Sequence, residues 1–129
     1  MGSQIPDLWP SDLSPATIVT PVAILREQAA KLGARTNDLL EGRVTTRVQG
    51  KTRFMHYFSV VAPSLDNYAY QLLEVTHEAE PYPLLAHCTT DQAWRELHSE
   101  DEFLAYLREV FSSEETKRVI GALLAQVTS

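Results

Sequence analysis

The stretch that decides the fold runs from residue 43 to residue 77, RVTTRVQGKTRFMHYFSVVAPSLDNYAYQLLEVTH. Its opening alternates: Val44, Thr46 and Val48 fall between Arg43, Thr45, Arg47 and Gln49. A period of two is the signature of a strand with one dry and one wet face. Gly50, Lys51 and Thr52 supply a turn, and two aromatic and β-branched runs follow, Arg53 to Ala62 and Tyr68 to His77. Pro63-Ser64-Leu65-Asp66-Asn67 between them has turn composition. Short links between consecutive strands predict an antiparallel meander, with Leu84 to Cys88 as a short fourth strand.

Outward from the meander the period changes to that of a helix. Val22, Leu25, Ala29, Leu32 and Leu39 recur at helical spacing, so a helix is expected over 21–41, with Thr20 as N-cap and Gly42 as C-terminal cap. Two capping boxes, Ser99 with Glu102 and Ser112 with Glu115, each precede an apolar stripe and predict two helices within 99–128. Residues 91–98 read equally as a short helix or an irregular edge segment. The expected class is α+β: an N-terminal helix, an antiparallel meander of three or four strands, then two or three C-terminal helices. Residues 1–20 hold Pro6, Pro10 and Pro15 and read as an arm in front of a single domain over 21–129. Trp9 in that otherwise polar arm wants a place to be buried.

Parity within the meander bears on function. A three-residue turn at Gly50 puts Val44 and Val48 on one face with Phe54, Phe58 and Val60. The opposite face then carries Arg43, Arg47, Met55, Tyr57 and Val61, with Tyr68, Tyr70 and Leu72 from the third strand. Both faces of the central strands are partly apolar, so both ask for cover. Either the helices divide between the faces, or one face stays open as an interface of aromatic and arginine character. Arg47, Met55, Tyr57, Tyr70 and Trp9 are the candidate partner-binding residues.

Composition narrows the classes. The 129 residues are 44% hydrophobic and 22% charged, which is enough to build one core without staples. A lone cysteine, Cys88, rules out an intramolecular disulfide and points to a reducing, cytoplasmic setting. No run of 18 apolar residues and no basic-then-apolar leader is seen, so no membrane role is expected. The net charge of -6 hides a basic segment over 22–56 and a strongly acidic one over 74–115. The basic excess is too small to favour a nucleic-acid partner.

Chemistry-bearing motifs are sparse. His56 and His77 fall on one face one diagonal step apart, but no zinc spacing surrounds them or His87 and Cys88. Neither a metal nor any other cofactor is therefore expected. A thiol nucleophile at Cys88 with a strand histidine is the enzymatic alternative; inert packing is the plainer reading. Glu74, Glu78 and Glu80 could form an acid/base pair near a strand end. Phosphate-cradling and nucleophile-elbow patterns are absent. The expectation is a non-enzymatic protein–protein interaction module, an acidic adaptor, inhibitor or immunity-type protein of bacterial kind, whose partner is another protein or a second copy. Its rival is a small-ligand or sensory domain with a pocket between the first helix and the sheet, near Phe54, His56 and Phe58.

Overall fold

A computed structural model describes residues 4–129. Helix α1 (Pro21–Arg35) opens on Thr20, whose hydroxyl accepts from the Ala23 N–H at 3.3 Å, with Pro21 at the first position. It ends six residues before the expected boundary. Thr36 caps it, its own N–H reaching back to Leu32 and Gly33 carbonyls, and Asn37 and Asp38 turn the chain with φ of 51° and 61°. Asn and Asp tolerate the left-handed region, which is how the chain stops helping a helix that Leu39 and Leu40 would otherwise prolong. Gly42 is therefore no cap. It lies in β1, where an added Cβ would come within 2.5 Å of Ala29 Cα, so its missing side chain is what lets α1 lie on the strand.

Five strands follow: β1 (Glu41–Gln49), β2 (Arg53–Ala62), β3 (Tyr68–His77), β4 (Leu84–Cys88) and β5 (Asp91–Leu97). They form one antiparallel sheet in chain order. The meander thus has one strand more than expected, because residues 91–97 pair with β4 instead of coiling. Helices α2 (Glu100–Phe111) and α3 (Glu114–Val127) complete the chain. Ser99 caps α2 by accepting from Glu102 N–H, as its box predicts. The cap of α3 is Ser113, which accepts from Thr116 N–H, one residue beyond the predicted Ser112.

All three helices lie on the same side of the sheet. Ala29 of α1 abuts Gly42, the Phe58 and Phe111 rings meet at 5.4 Å, and Arg95 of β5 sits over the Tyr106 ring while pairing with Glu109. The core between the layers gathers Leu25, Phe58, Leu73, Leu84, Phe103 and Leu107, all essentially buried. Of the two alternatives, helices divided between the faces or one face left without them, the second holds.

A bulge changes the parity along β3. Phe58 opposes Leu73, but Ser59 opposes Gln71, so Leu72 is an extra residue. Its buried side chain joins the core, and its carbonyl accepts from Thr89 N–H at 3.0 Å. Every residue of β3 before it is shifted by one, which places Tyr70 opposite Val60 and Tyr68 opposite Ala62, on the helix side. The expectation that Tyr68, Tyr70 and Leu72 share a face with Tyr57 fails for this reason.

Candidate functional site

The uncovered face of the sheet is organised in rows. One row runs Arg47, Met55, Thr76, Leu85, Glu96 from β1 to β5. Beside it runs Thr45, Tyr57, Glu74 and His87, with Trp94 packed against the His87 ring at 4.1 Å. Five strands span about 19 Å from edge to edge at the usual spacing. Leu85 and Trp94 are 38% and 44% exposed, and Met55 and Tyr57 are half-buried. Cations cluster toward the β1 side as Arg43, Arg47 and Arg53, while carboxylates stand further across at Glu74 and Glu96.

Local chemistry ties the patch together. The Tyr57 hydroxyl points to Met55 Sδ at 3.8 Å. Burial of the phenol, then the neighbouring Glu74 carboxylate, raise its pKa above the ordinary value. His87 Nδ1 is buried without a hydrogen-bond partner among the described residues, held beneath Trp94. Of the residues singled out from the sequence, Arg47, Met55 and Tyr57 meet here. Tyr70 lies on the opposite side of the sheet, and Trp9, 74% exposed, lies in the arm. Leu85, His87 and Trp94 were not among the partner-binding candidates: Trp94 lies on a fifth strand with no clean alternation, and Leu85 and His87 lie on the expected short fourth strand, whose facing depends on its pairing with β3.

The histidine pair belongs to the helix side. His56 Nε2 and His77 Nε2 stand 2.8 Å apart, Thr46 Oγ1 lies 2.9 Å from His56 Nδ1, and His77 Nδ1 lies 2.6 Å from the Glu78 carbonyl. Only one set of neutral tautomers satisfies all three contacts. The carbonyl can only accept, so His77 donates from Nδ1 and accepts at Nε2. His56 then donates from Nε2 and accepts the Thr46 hydroxyl proton at Nδ1. Every ring nitrogen is then hydrogen-bonded. Burial, then His77 and Arg26, push the His56 pKa down to about 4, so the ring stays neutral near pH 7.

Cys88 is buried, its Sγ 3.4 Å from Thr90 Oγ1 and beside Tyr106. Tyr106 is pushed to a higher pKa by burial and then by the thiol next to it. The thiol faces the core and touches neither histidine of the pair. Among the described residues no group of three or more His, Cys, Asp and Glu lies close enough to hold a metal ion. Among the described residues no helix is long and apolar enough to cross a membrane.

Two cavities accompany the helix layer. The larger, about 580 Å³, opens between α1 and the α2–α3 pair above Phe58, Val60 and Leu72. The smaller, about 430 Å³, lies against Tyr68, Tyr70 and Val119. A ligand pocket was expected between the first helix and the sheet near Phe54, His56 and Phe58; the larger cavity lies between α1 and the sheet and reaches Phe58, and neither cavity reaches Phe54 or His56. No family model, no curated protein and no solved structure matches the chain.

Proposed function

We propose that this chain is a non-enzymatic protein-binding module, an adaptor or an inhibitor or immunity-type protein, and that it binds through the open face of its sheet. One observation carries the reading: three helices crowd one side and leave Met55, Tyr57, Leu85 and Trp94 on the other, spread across the sheet with Thr76, Glu74 and His87 between them. Aromatic residues, methionine and arginine are what interface cores prefer, and here Arg43 and Arg47 flank the apolar centre. An apolar strip of this kind marks an interaction site on a globular chain. The enzymatic alternative has less behind it, since the strand histidines hydrogen-bond one another and Cys88 is packed beside Tyr106.

The test uses Tyr57→Ala and Trp94→Ala, made in the full chain. Truncating an aromatic anchor typically costs about 2 kcal/mol of binding, roughly thirtyfold. Affinity capture from the native host, followed by titration of the recovered partner, should show that loss for both variants. A partner retained at full strength by both would remove this face as the binding surface.

A further inference from the structure

The arm and the larger groove are complementary to each other, and neither has a use in the open-face reading. In the arm, Ile5, Leu8, Trp9 and Leu13 are 87%, 81%, 74% and 66% exposed. Four large apolar side chains within nine residues, all in water, are an unsatisfied surface. The same segment carries Asp7 and Asp12, and no lysine or arginine occurs from residue 4 to residue 19. Asp7 Oδ1 accepts from the Trp9 N–H at 3.1 Å, which sets the indole on a turn between Pro6 and Pro10.

The groove has the opposite character. Its accessible apolar lining is Leu32, Leu104, Phe111 and Ile120, over a buried base of Phe58, Val60 and Leu72. Its rim carries Lys31, Arg35 and Arg108, and no carboxylate lines it. Lys31 shares its charge with Glu27 at 3.5 Å, whereas Arg35 and Arg108 make no ion pair among the described residues. A basic apolar groove on a chain of net charge -6 selects an acidic apolar occupant. Its volume of about 580 Å³ lies within the range of pockets that enclose drug-sized groups, enough for an indole and its neighbours.

We infer that the arm of one copy seats in this groove of a second copy, and that the exchange is reciprocal. Trp9 packs between the apolar walls, while Asp7 and Asp12 face Arg35 and Arg108. The geometry favours a second copy over the chain's own groove. The arm departs from Pro21 at the start of α1, whereas the groove uses Gln28, Lys31, Leu32 and Arg35 toward its end. Thr20 is extended at the junction (φ -74°, ψ 152°), and the apolar side chains of the arm stand in solvent instead of in the groove of their own chain. This inference uses a surface separate from the open sheet face and does not depend on it.

The experiment is a charge exchange in the full chain. Arg35→Glu with Arg108→Glu reverses the rim; Asp7→Lys with Asp12→Lys reverses the arm. Each double variant alone places like charges together, so its self-association, followed by sedimentation, should weaken at least about tenfold. Mixed, the two should pair with each other, because both arm–groove contacts then join opposite charges. Trp9→Ala should weaken the parent's self-association roughly thirtyfold. Fluorotryptophan labelling gives a second readout: the Trp9 resonance, assigned by its loss in Trp9→Phe, should shift with protein concentration. A parent that stays monomeric, a dimer indifferent to all these changes, or failure of the mixed variants to pair would overturn the inference. A Trp9 signal that is shielded at every concentration would overturn it in favour of self-docking, and a small amphiphile that binds without displacing the arm would do so in favour of a ligand pocket.

Discussion

Strand β2 places consecutive residues in two different settings. His56, Phe58 and Val60 point under the helices and are 3%, 2% and 0% exposed, whereas Met55, Tyr57 and Ser59 point out and keep partial contact with solvent. Both sets contain large apolar residues. On the inner side, shape is constrained from three elements at once, and polar groups such as Thr116, whose hydroxyl donates to the Val110 carbonyl at 2.8 Å, are paired. On the outer side, Val61 and Thr76 are buried while Met55, Tyr57 and Ser59 keep partial exposure, and charges of both signs stand in the same rows. The inner face is explained by folding alone. The outer one carries more apolar surface than folding needs, and that excess is the physical content of the functional proposal.

The largest expected effect tests this contrast directly. Phe58→Ala empties a fully enclosed site that also touches Phe111, so it should cost about 3–5 kcal/mol of unfolding free energy. Met55→Ala, three residues earlier on the outer face, should cost no more than about 1 kcal/mol. Urea denaturation of both variants measures the difference. Near-equal losses would mean that the outer face is buried in solution and that the comparison is mistaken.

A second effect belongs to the inner face only, and it is driven by pH. His56 falls from an ordinary value of 6.5 to about 4 on folding, chiefly through burial. Between those values the unfolded chain binds a proton that the folded chain refuses, so stability drops as the pH falls through the window. From pH 7.5 to pH 5 the loss should approach about 2 kcal/mol, with a slope of up to about 1.36 kcal/mol for each pH unit inside the window. It is essentially regained about one pH unit above 6.5. In His56→Gln the slope over that window should flatten, and chemical denaturation at a series of pH values reads it out.

Much of the frame was legible in the sequence because local chemistry agreed with the final fold. Alternation in β1, the three-residue turn at Gly50, the Ser99 cap and the diagonal meeting of His56 with His77 each depend on residues close in sequence or on simple parity. What was hidden depended on long-range choices. The bulge at Leu72 follows from pairing with β2 and from Thr89 reaching back to its carbonyl, and one inserted residue was enough to send Tyr70 to the wrong predicted face. The end of α1 was set by Asn37 and Asp38 in left-handed geometry, against the pull of an apolar pattern that continues through Leu40. The identity of β5 rests on its pairing with β4 across an irregular register, and its sequence alternates poorly. Trp94, the most exposed aromatic of the open face, was lost with it.

The smallest expected effect on stability carries the most about function. Arg47 is exposed, sits on the edge strand and takes part in no ion pair among the described residues. Arg47→Glu should therefore change unfolding free energy by no more than about 0.5 kcal/mol. Its position opposite Met55 nevertheless puts it at the border of the apolar rows, where a charge steers an approaching partner. Reversal should slow association at low salt by about tenfold while leaving dissociation little changed, because rim charges act mainly on the encounter. Raising the ionic strength to about 0.15 M, where the screening length is about 8 Å, should close most of that gap. Stopped-flow association at two salt concentrations, beside a melting curve, separates the two roles. A lowered melting point would return Arg47 to the fold. Unchanged association with unchanged melting would move the centre of binding across the sheet, toward Trp94 and Glu96.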